Sequence, residues 1–556
     1  MTLNVVPAHA SPADPLLHTT PDELTAPAGA VGDSMTVAMW TTLSRVSGFV
    51  RVATVAAVLG PTFFGNTYQF TNSLPNLVYY GFLAGSLFSS LLVPALVRHI
   101  DRGDSASAER VASGLFGVVG AGMLLVLPIA LLVTPELLHL ASIGTPSAAT
   151  MGEVRVGRLL VLMLMPQILF YGVIGTATAV QNAYRRFGLP AAAPVLENVG
   201  TVVVLLLVRV LFPPVRSFAQ VPTAELLLLG LGSTAAVGAH AAVQWWGARR
   251  VGVRLRPRAG WRNSEVQVVM RRAVPSLVQA GAAASELIVL LVLADRVAGG
   301  VVAFQISLNF YFLPVAIAAT PVALSLIPRL SRIDASSTDF HDTLMRGLAF
   351  AGFLTVPAAT GYLVLAGPLA HAVSLGRMNA PELVTSSMRT LAPGLIGEAA
   401  FLIITYAAYS RSDTRTPLRA MGVQMLVCLS IAPLSLLFHG TAALSVLGGA
   451  LSAGTLVSAF VLYKMVGRTD RGSERIGRPL ARFVAGAAVM AGPAWLTATY
   501  VGRSLGGRPG IELSVLAAAL VGGAIFIGVQ LLWRSRELGW VASSLGVGHS
   551  FGGEAL

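Results

Sequence analysis

Long apolar stretches recur along the whole chain. A helix needs about 20 mostly apolar residues to cross the hydrocarbon core of a bilayer. On that criterion the pattern predicts about fourteen spanning helices. The predicted spans are 34–58, 68–96, 111–133, 157–181, 191–212, 223–246, 268–293, 299–327, 344–368, 386–409, 417–437, 441–464, 481–502 and 511–533. We therefore expect an all-α polytopic membrane protein.

Composition supports lipid as the solvent of this chain. Of its 556 residues, 54% are hydrophobic and only 11% are charged, whereas soluble domains carry about 25% charged residues. The net charge is +13, which in a soluble protein would suggest a nucleic-acid partner. Here the bases lie in short loops between apolar stretches, so we expect no nucleic acid. The single cysteine, Cys428, excludes an intrachain disulfide.

The basic residues concentrate in every second loop. The basic loops contain Arg98–Arg110, Arg185–Arg186, Arg249–Arg272, Arg329–Arg346, Arg411–Arg419, Lys464–Arg482 and Arg534–Arg536. Short basic loops stay in the cytoplasm, so both termini are expected there. Residues 1–33 contain no lysine or arginine and no apolar core of a signal peptide. They are predicted to be a disordered cytoplasmic tail, and 534–556 a second cytoplasmic tail.

A faint internal repeat suggests two related halves. Asn182–Pro190 and Tyr409–Pro417 are both basic turns that end on a proline at the start of a helix. Repeated bundles with a site between them are a common transporter plan. The predicted units are a six-helix lobe at 34–246, a basic cytoplasmic linker at 247–267, a second six-helix lobe at 268–464, and two extra helices at 481–533.

Arg45 and Arg51 lie inside the first predicted span. An arginine at the centre of a spanning helix costs about 2.5–3.5 kcal/mol on insertion scales. Two in one helix are therefore expected to face a water-filled cavity or a bound anion. The alternative is that the helix begins elsewhere and one arginine extends to the membrane interface.

Three carboxylates also fall within predicted spans: Glu197, Glu286 and Glu398. Acids within a membrane can carry protons or bind a cation during transport. They can equally be protonated and hydrogen-bonded between helices. Both interpretations stay open, and His240 is interpreted as a packing residue.

The sequence contains no soluble catalytic constellation. It has no phosphate-binding loop and no cluster of metal ligands, so we expect a transporter without cofactor or metal rather than an enzyme. Energy would come from ion gradients, membrane potential or substrate flow. A membrane-embedded glycosyltransferase would need catalytic acids, and the longest predicted outer loop, 134–154, has only Glu136 and Glu153.

Several motifs carry a resemblance to a known family. Residues Ser44–Arg51 resemble the SRxxGFxR signature in the first helix of the MurJ/MviN family. Leu74–Leu77 match its LPN element, Leu326–Ser331 look like its eighth helix, and Tyr409–Pro417 resemble its YAxxDTxTP turn. The resemblance covers about residues 34–533.

The resemblance implies a function. Members flip lipid II, the undecaprenyl-pyrophosphate peptidoglycan precursor, across the bacterial plasma membrane, and they belong to the multidrug/oligosaccharidyl-lipid/polysaccharide exporter superfamily. By resemblance, Arg45 and Arg51 would contact the substrate pyrophosphate. The lobes would rock by alternating access, and the last two helices would form a groove for the lipid tail. Membrane lipids and proteins of cell-wall synthesis are the other partners implied.

Some family charges are missing from this chain. The family usually has an acid at the position of Asn66, a base at Tyr79, and in many members an arginine at Asn309. We expect these three residues to take part in substrate binding with Arg45 and Arg51. Two alternatives stay open, namely a flippase for another polyprenyl-linked saccharide and a transport-inactive scaffold of cell-wall synthesis. A drug or ion antiporter would favour acids in its cavity, which the two arginines argue against.

Overall fold

The computed structural model describes residues 28–79, 92–141, 147–214, 218–333, 337–374, 376–411, 413–466 and 476–539. Within these ranges the chain forms helices and no strands, which confirms the predicted all-α class. The α-helices are α1 Ala28–Leu59, α2 Phe63–Val78, α3 Val93–Ile100, α4 Ser105–Ala141, α5 Ser147–Leu164, α6 Gln167–Ala183, α7 Gly188–Leu211, α8 Thr223–Arg250, α9 Ser264–Ala294, α10 Gly300–Pro314, α11 Thr320–Leu330, α12 Thr338–Val373, α13 Pro381–Leu391, α14 Gly394–Ser410, α15 Arg415–Ile431, α16 Gly440–Val466, α17 Gly477–Leu505 and α18 Gly507–Leu532.

The described residues contain 12 helical segments long and apolar enough to cross a membrane, or up to 13 when a bent pair is included. The chain is therefore a multi-pass membrane protein. The predicted second span, 68–96, includes residues 80–91, which lie outside the described ranges. The count of about fourteen stays a prediction. Helix α1 begins at Ala28, within the predicted tail, and residues 1–27 lie outside the described ranges.

Several predicted spans are interrupted at proline. The predicted span 157–181 is formed by α5 and α6, which are separated at Pro166, and 386–409 is formed by α13 and α14, which bend by 48° at a break that contains Pro393. In the span predicted at 299–327, a π-helical turn, Val315–Ala319, follows Pro314. Proline lacks the N–H that a continuous helix needs, so each break falls where a backbone hydrogen bond is missing.

The helices pack in two groups. In the first group (α1 to α8), α7 packs against α1 and α8, and α8 packs against α5 and α6. In the second group (α9 to α16), α16 packs against α13, α14 and α15. The groups meet where α1 contacts α10, where α2 contacts α9 and α10, and where α4 contacts α9. This meeting surface holds the candidate site.

The segment between α8 and α9 lies directly on α4. The backbone N–H of Arg258 donates to the Ser113 carbonyl at 3.3 Å. A Cβ atom built on Gly117 would lie 1.9 Å from the Arg258 carbonyl oxygen, so no side chain fits there. The close approach of two backbones therefore requires glycine at this position.

Helices α17 and α18 pack against each other and chiefly against α12. Phe353 of α12 contacts Phe483 of α17 and Phe526 of α18, with ring centroids 5.7 and 5.3 Å apart. Aromatic pairs at such distances add to the free energy gained by burying their area. The last two helices are thus attached through one helix of the second group.

The two ends of the helices differ in their loops. At the end that carries most of the basic loops, here called the basic end, the Asp413 carboxylate caps α15 by accepting from the backbone N–H groups of Arg415 and Thr416, both at 3.0 Å. Partial burial acts to raise the pKa of Asp413, but these hydrogen bonds outweigh it and hold the pKa below its usual range. The other end, with loops 60–62, 295–299 and 374–380, we call the far end.

Candidate functional site

A cavity of about 420 Å³ lies between the two helical groups. Helices α1, α2 and α6 to α8 contribute one side, and α9 and α10 contribute the other. Its polar lining includes Arg45, Arg51, Asn72, Ser73, Asn76, Gln167, Tyr171, Glu197, Thr201, Ser233, Gln305 and Asn309. The volume falls in the range of about 300–1,000 Å³ that is usual for ligand sites. A cavity with charged and polar groups among apolar side chains therefore lies inside the helical bundle.

Arg51 is held at the cavity wall by a carboxylate. Its Nη1 atom lies 3.8 Å from Glu197 Oε1, and 26% of its side chain is exposed. The Tyr171 hydroxyl donates to Glu197 Oε1 at 3.0 Å, and His240 Nδ1 is hydrogen-bonded to Oε2 at 2.9 Å. Glu197 is thus fixed by side chains of three other helices, and it positions the guanidinium of Arg51 in turn. Sequence reasoning did not single out Tyr171 and interpreted His240 only as packing.

Arg45 lines the same cavity and is exposed to it. Among the described residues, no carboxylate lies within 4 Å of its guanidinium. Helical rise places Arg45 about 21 Å from the end of α1, well inside the helix. The charged groups in the described lining are two guanidiniums and one carboxylate. The cavity is therefore suited to an anion.

The three uncharged candidates occupy different places. Asn309 lines the cavity, and its Nδ2 donates to the Gln305 carbonyl at 2.8 Å. Tyr79 is 3% exposed and stacks on Tyr171, with ring centroids 5.3 Å apart, so it supports the wall from behind. Asn66 lies at the far end, fully buried and outside the cavity lining. The structure therefore brings Arg45, Arg51 and Asn309 together and separates Asn66 and Tyr79 from them.

Asn66 joins α2 to the loop between α9 and α10. Its Nδ2 donates to the carbonyl oxygens of Val297 at 2.8 Å and Asp295 at 3.3 Å. Its Oδ1 accepts from the backbone N–H of Val301 at 3.1 Å, in the first turn of α10. One amide thus makes three hydrogen bonds between the two helical groups.

Two more residues of α2 continue this line of contacts. Gln69 donates to the side chain of Gln305 in α10, and the Gln305 amide donates to Ser73 Oγ at 2.6 Å. Positions 66, 69 and 73 share one helical face because they follow the i, i+3, i+7 spacing. We call Asn66, Gln69 and Ser73 the α2 seam. It closes the far end of the meeting surface with polar contacts.

The other two candidate acids lie away from the cavity, within the second group. Glu286 is 1% exposed and accepts from Gln424 Nε2 at 2.9 Å. Glu398 is half-buried and accepts from the Tyr311 hydroxyl at 3.3 Å. Neither belongs to the described cavity lining. Within the described ranges there is also no group of three or more His, Cys, Asp or Glu side chains that could hold a metal ion.

Comparison with known proteins agrees with this architecture. The family model described as lipid II flippase MurJ matches residues 55–507. A lipid II flippase MurJ of Burkholderia cenocepacia is 25% identical over 526 residues, which cover 90% of this chain and 96% of that protein. A probable lipid II flippase MurJ of Vibrio cholerae is 25% identical over 466 residues, which cover 81% and 85%.

Solved structures share the fold. A structure of lipid II flippase MurJ in an inward closed conformation superposes with a TM-score of 0.70 at 14% identity, covering 90% of this chain and 99% of that one. An inward-facing multidrug resistance MATE transporter gives 0.59 at 12% identity, covering 78% and 96%. Both likenesses show a shared fold. Because the family model spans most of the chain, we conclude that the chain belongs to the lipid II flippase MurJ family.

Proposed function

We propose that this protein is a flippase that moves lipid II from the inner to the outer leaflet of the bacterial plasma membrane. The observation that carries the proposal is the pair Arg45 and Arg51 in a cavity between two helical groups. Leaving two guanidiniums within a spanning helix is costly unless water or an anion compensates them. A diphosphate attached to a membrane lipid can supply that negative charge within the bilayer.

The two arginines suit a diphosphate for a chemical reason. A guanidinium presents a planar fork of N–H donors that matches two phosphate oxygens at once. Glu197 holds Arg51 at the wall, so little side-chain entropy is lost when the substrate binds. Arg45, without a carboxylate among the described residues, supplies the second positive charge. Asn309 contributes a neutral donor from the other side of the cavity.

The position of the α2 seam supports an alternating-access mechanism. The basic end faces the cytoplasm under the positive-inside rule, with both termini on that side. The far end then faces outward, and the α2 seam keeps it closed while the head group enters from the cytoplasm. Breaking the seam opens the cavity to the outside. In this scheme Asn66 acts in closure, Tyr79 supports the wall, and α12, α17 and α18 guide the lipid tail.

A replacement experiment tests the proposal. The host flippase is depleted, this chain is expressed, and lipid II reaching the outer leaflet is measured. We expect wild type to restore it, Arg45→Ala and Arg51→Ala to reduce it, and Arg51→Lys to restore it only in part because lysine lacks the fork. Arg209→Ala is the matched control, since Arg209 is exposed and outside the described cavity lining.

Two results would overturn the proposal. Full restoration by the Arg45→Ala/Arg51→Ala double variant would remove the arginines from the mechanism. A wild-type chain that is correctly inserted but restores nothing would refute lipid II as the substrate. Another polyprenyl-linked saccharide or a scaffold role would then be tested instead.

A further inference from the structure

Two fully buried carboxyl groups meet at the far end, one from each helical group. Glu153 lies in the first turns of α5, and Asp295 directly follows α9; both are 0% exposed. Consecutive residues of α2 contact both of them, because Asn66 donates to the Asp295 carbonyl at 3.3 Å and Thr67 donates to Glu153 Oε1 at 3.5 Å. The two carboxyl groups therefore lie next to each other. The pair is adjacent to Asn66, at the same meeting surface as the α2 seam.

Three of the four carboxyl oxygens of the pair lack a hydrogen-bond donor among the described residues. These are Glu153 Oε2 and both carboxyl oxygens of Asp295. A buried acceptor left without a donor is costly, and two carboxylates in one buried site cannot both stay ionised. One proton held between them removes both difficulties, because it cancels one charge and supplies the missing donor. Burial, together with the neighbouring Glu153 carboxyl, raises the pKa of Asp295 well above its usual range.

Other charged and titratable groups at this end have different surroundings. Arg296 lines a separate cavity of about 410 Å³ with Glu382 and His439. Arg377 donates to the Val58 carbonyl oxygen at 2.9 Å. Further groups on the elements packed around the pair are buried Glu225 on α8, buried Tyr68 on α2, and exposed Glu136, His139, Arg155 and Arg158 on α4 and α5. Burial and the Glu153 carboxyl raise the pKa of Asp295, and the Asn66 amide acts to lower it.

We propose that Glu153 and Asp295 form a proton-binding latch, which holds one shared proton while the helical groups meet at the far end and releases it when they part. The inference rests on the proposed alternating-access function and deepens it. It identifies a proton as the ligand that is released when the protein opens at the far end. Asn66 binds the backbone of Asp295, so closing the α2 seam also brings the two carboxyl groups together.

The sign of the pH dependence follows from linkage. When the groups part, water reaches both carboxyls, which then titrate near their ordinary values of about 4. Between that pH and the raised value of the closed state, closing takes up one proton. The ratio of closed to open protein therefore falls by up to about tenfold per pH unit as pH rises. Because the proton enters and leaves on the same side, the latch responds to acidity at that face without moving charge across the membrane.

A distance measurement tests the latch without relying on substrate. Spin labels on Gln220→Cys and Phe438→Cys report the separation of the two groups at the far end, where both positions are exposed. The full chain is placed in nanodiscs of phosphatidylethanolamine and phosphatidylglycerol, and distances are recorded from pH 5 to pH 8. Native Cys428 is buried and is left in place. We expect the long-distance population to grow with pH.

Two variants and one control test whether Glu153 and Asp295 cause the pH dependence of the distance. Asp295→Asn and Glu153→Gln each supply a neutral amide donor to the remaining carboxylate, so either is expected to flatten the pH dependence. Glu136→Gln removes an exposed carboxyl from the same end and is expected to leave it unchanged. The latch is refuted if the parent shows no pH dependence or the opposite sign, or if both amide variants keep the parental slope.

The outcomes separate the latch from the proposed function. A chain that shows the expected slope but does not flip lipid II in the replacement experiment overturns the proposed substrate and supports the latch. A chain that flips lipid II with distances independent of pH overturns the latch and supports the flippase.

Discussion

Asn66→Ala is expected to shift the protein toward opening at the far end. The native amide makes three hydrogen bonds, at 2.8 and 3.3 Å to the loop between α9 and α10 and at 3.1 Å to the first turn of α10. Each such bond contributes about 0.5–1.5 kcal/mol net. Asn66 is fully buried, and water entering the space left by the amide would recover part of the loss. We therefore expect the closed state to lose about 1.5–3 kcal/mol relative to the open state.

That free energy corresponds to a shift of roughly 10- to 150-fold in the ratio of closed to open protein. The same pair of spin labels measures it, at a single pH and without substrate. The short distance should dominate in the parent, and the long distance should gain population in the variant. Asn72→Ala is the matched control, since Asn72 is on the same helix but lines the cavity. An unchanged distribution in Asn66→Ala, or an equal shift in Asn72→Ala, would refute the closing role.

Three further substitutions test other contacts. Glu197→Gln removes the charge opposite Arg51 and should weaken lipid II binding by roughly two- to fivefold, from about 0.5–1 kcal/mol; equal affinity would contradict the positioning role. Gly117→Ala should destabilise the protein by about 1–3 kcal/mol through overpacking and lower its thermal unfolding midpoint, whereas Gly120→Ala, in open space, should not. Asp413→Ala should cost about 0.5–2 kcal/mol as a lost cap. This cost should be present above the ordinary carboxyl pKa and disappear as pH falls through the lowered folded value, which unfolding measured against pH would show.

The expectation of a polar environment for Arg45 and Arg51 required reasoning about only one helix, and both residues line the cavity. Arg45 and Arg51 are charged residues in an apolar stretch, and the insertion cost alone indicates a polar environment. The role of Asn66 could not be predicted in this way. Its partners, Val297 and Val301, lie more than 200 positions away in the chain, and only the packed fold shows that they meet.

Helix ends were predicted less well, and the environment of Glu153 was therefore predicted wrongly. The prediction placed Glu153 in an outer loop, 134–154, but α4 continues to Ala141 and α5 begins at Ser147. Hydropathy marks the apolar part of a span and not the helical turns that extend beyond it. A residue predicted in a loop is therefore a buried helical carboxyl. His240 was placed correctly within a helix, but its hydrogen bond to Glu197 was not predicted. A single histidine in an apolar stretch does not indicate which distant residue it contacts.

The attachment of α17 and α18 through α12 has a consequence for how such proteins diversify. Phe353 of α12 contacts both Phe483 and Phe526, and Ala349 and Val356 of the same helix belong to the same buried cluster. Loss or exchange of the terminal hairpin would require adaptation mainly on the outward surface of that one helix. Substitutions elsewhere in the hairpin should therefore leave the contacts among α1 to α16 largely unchanged.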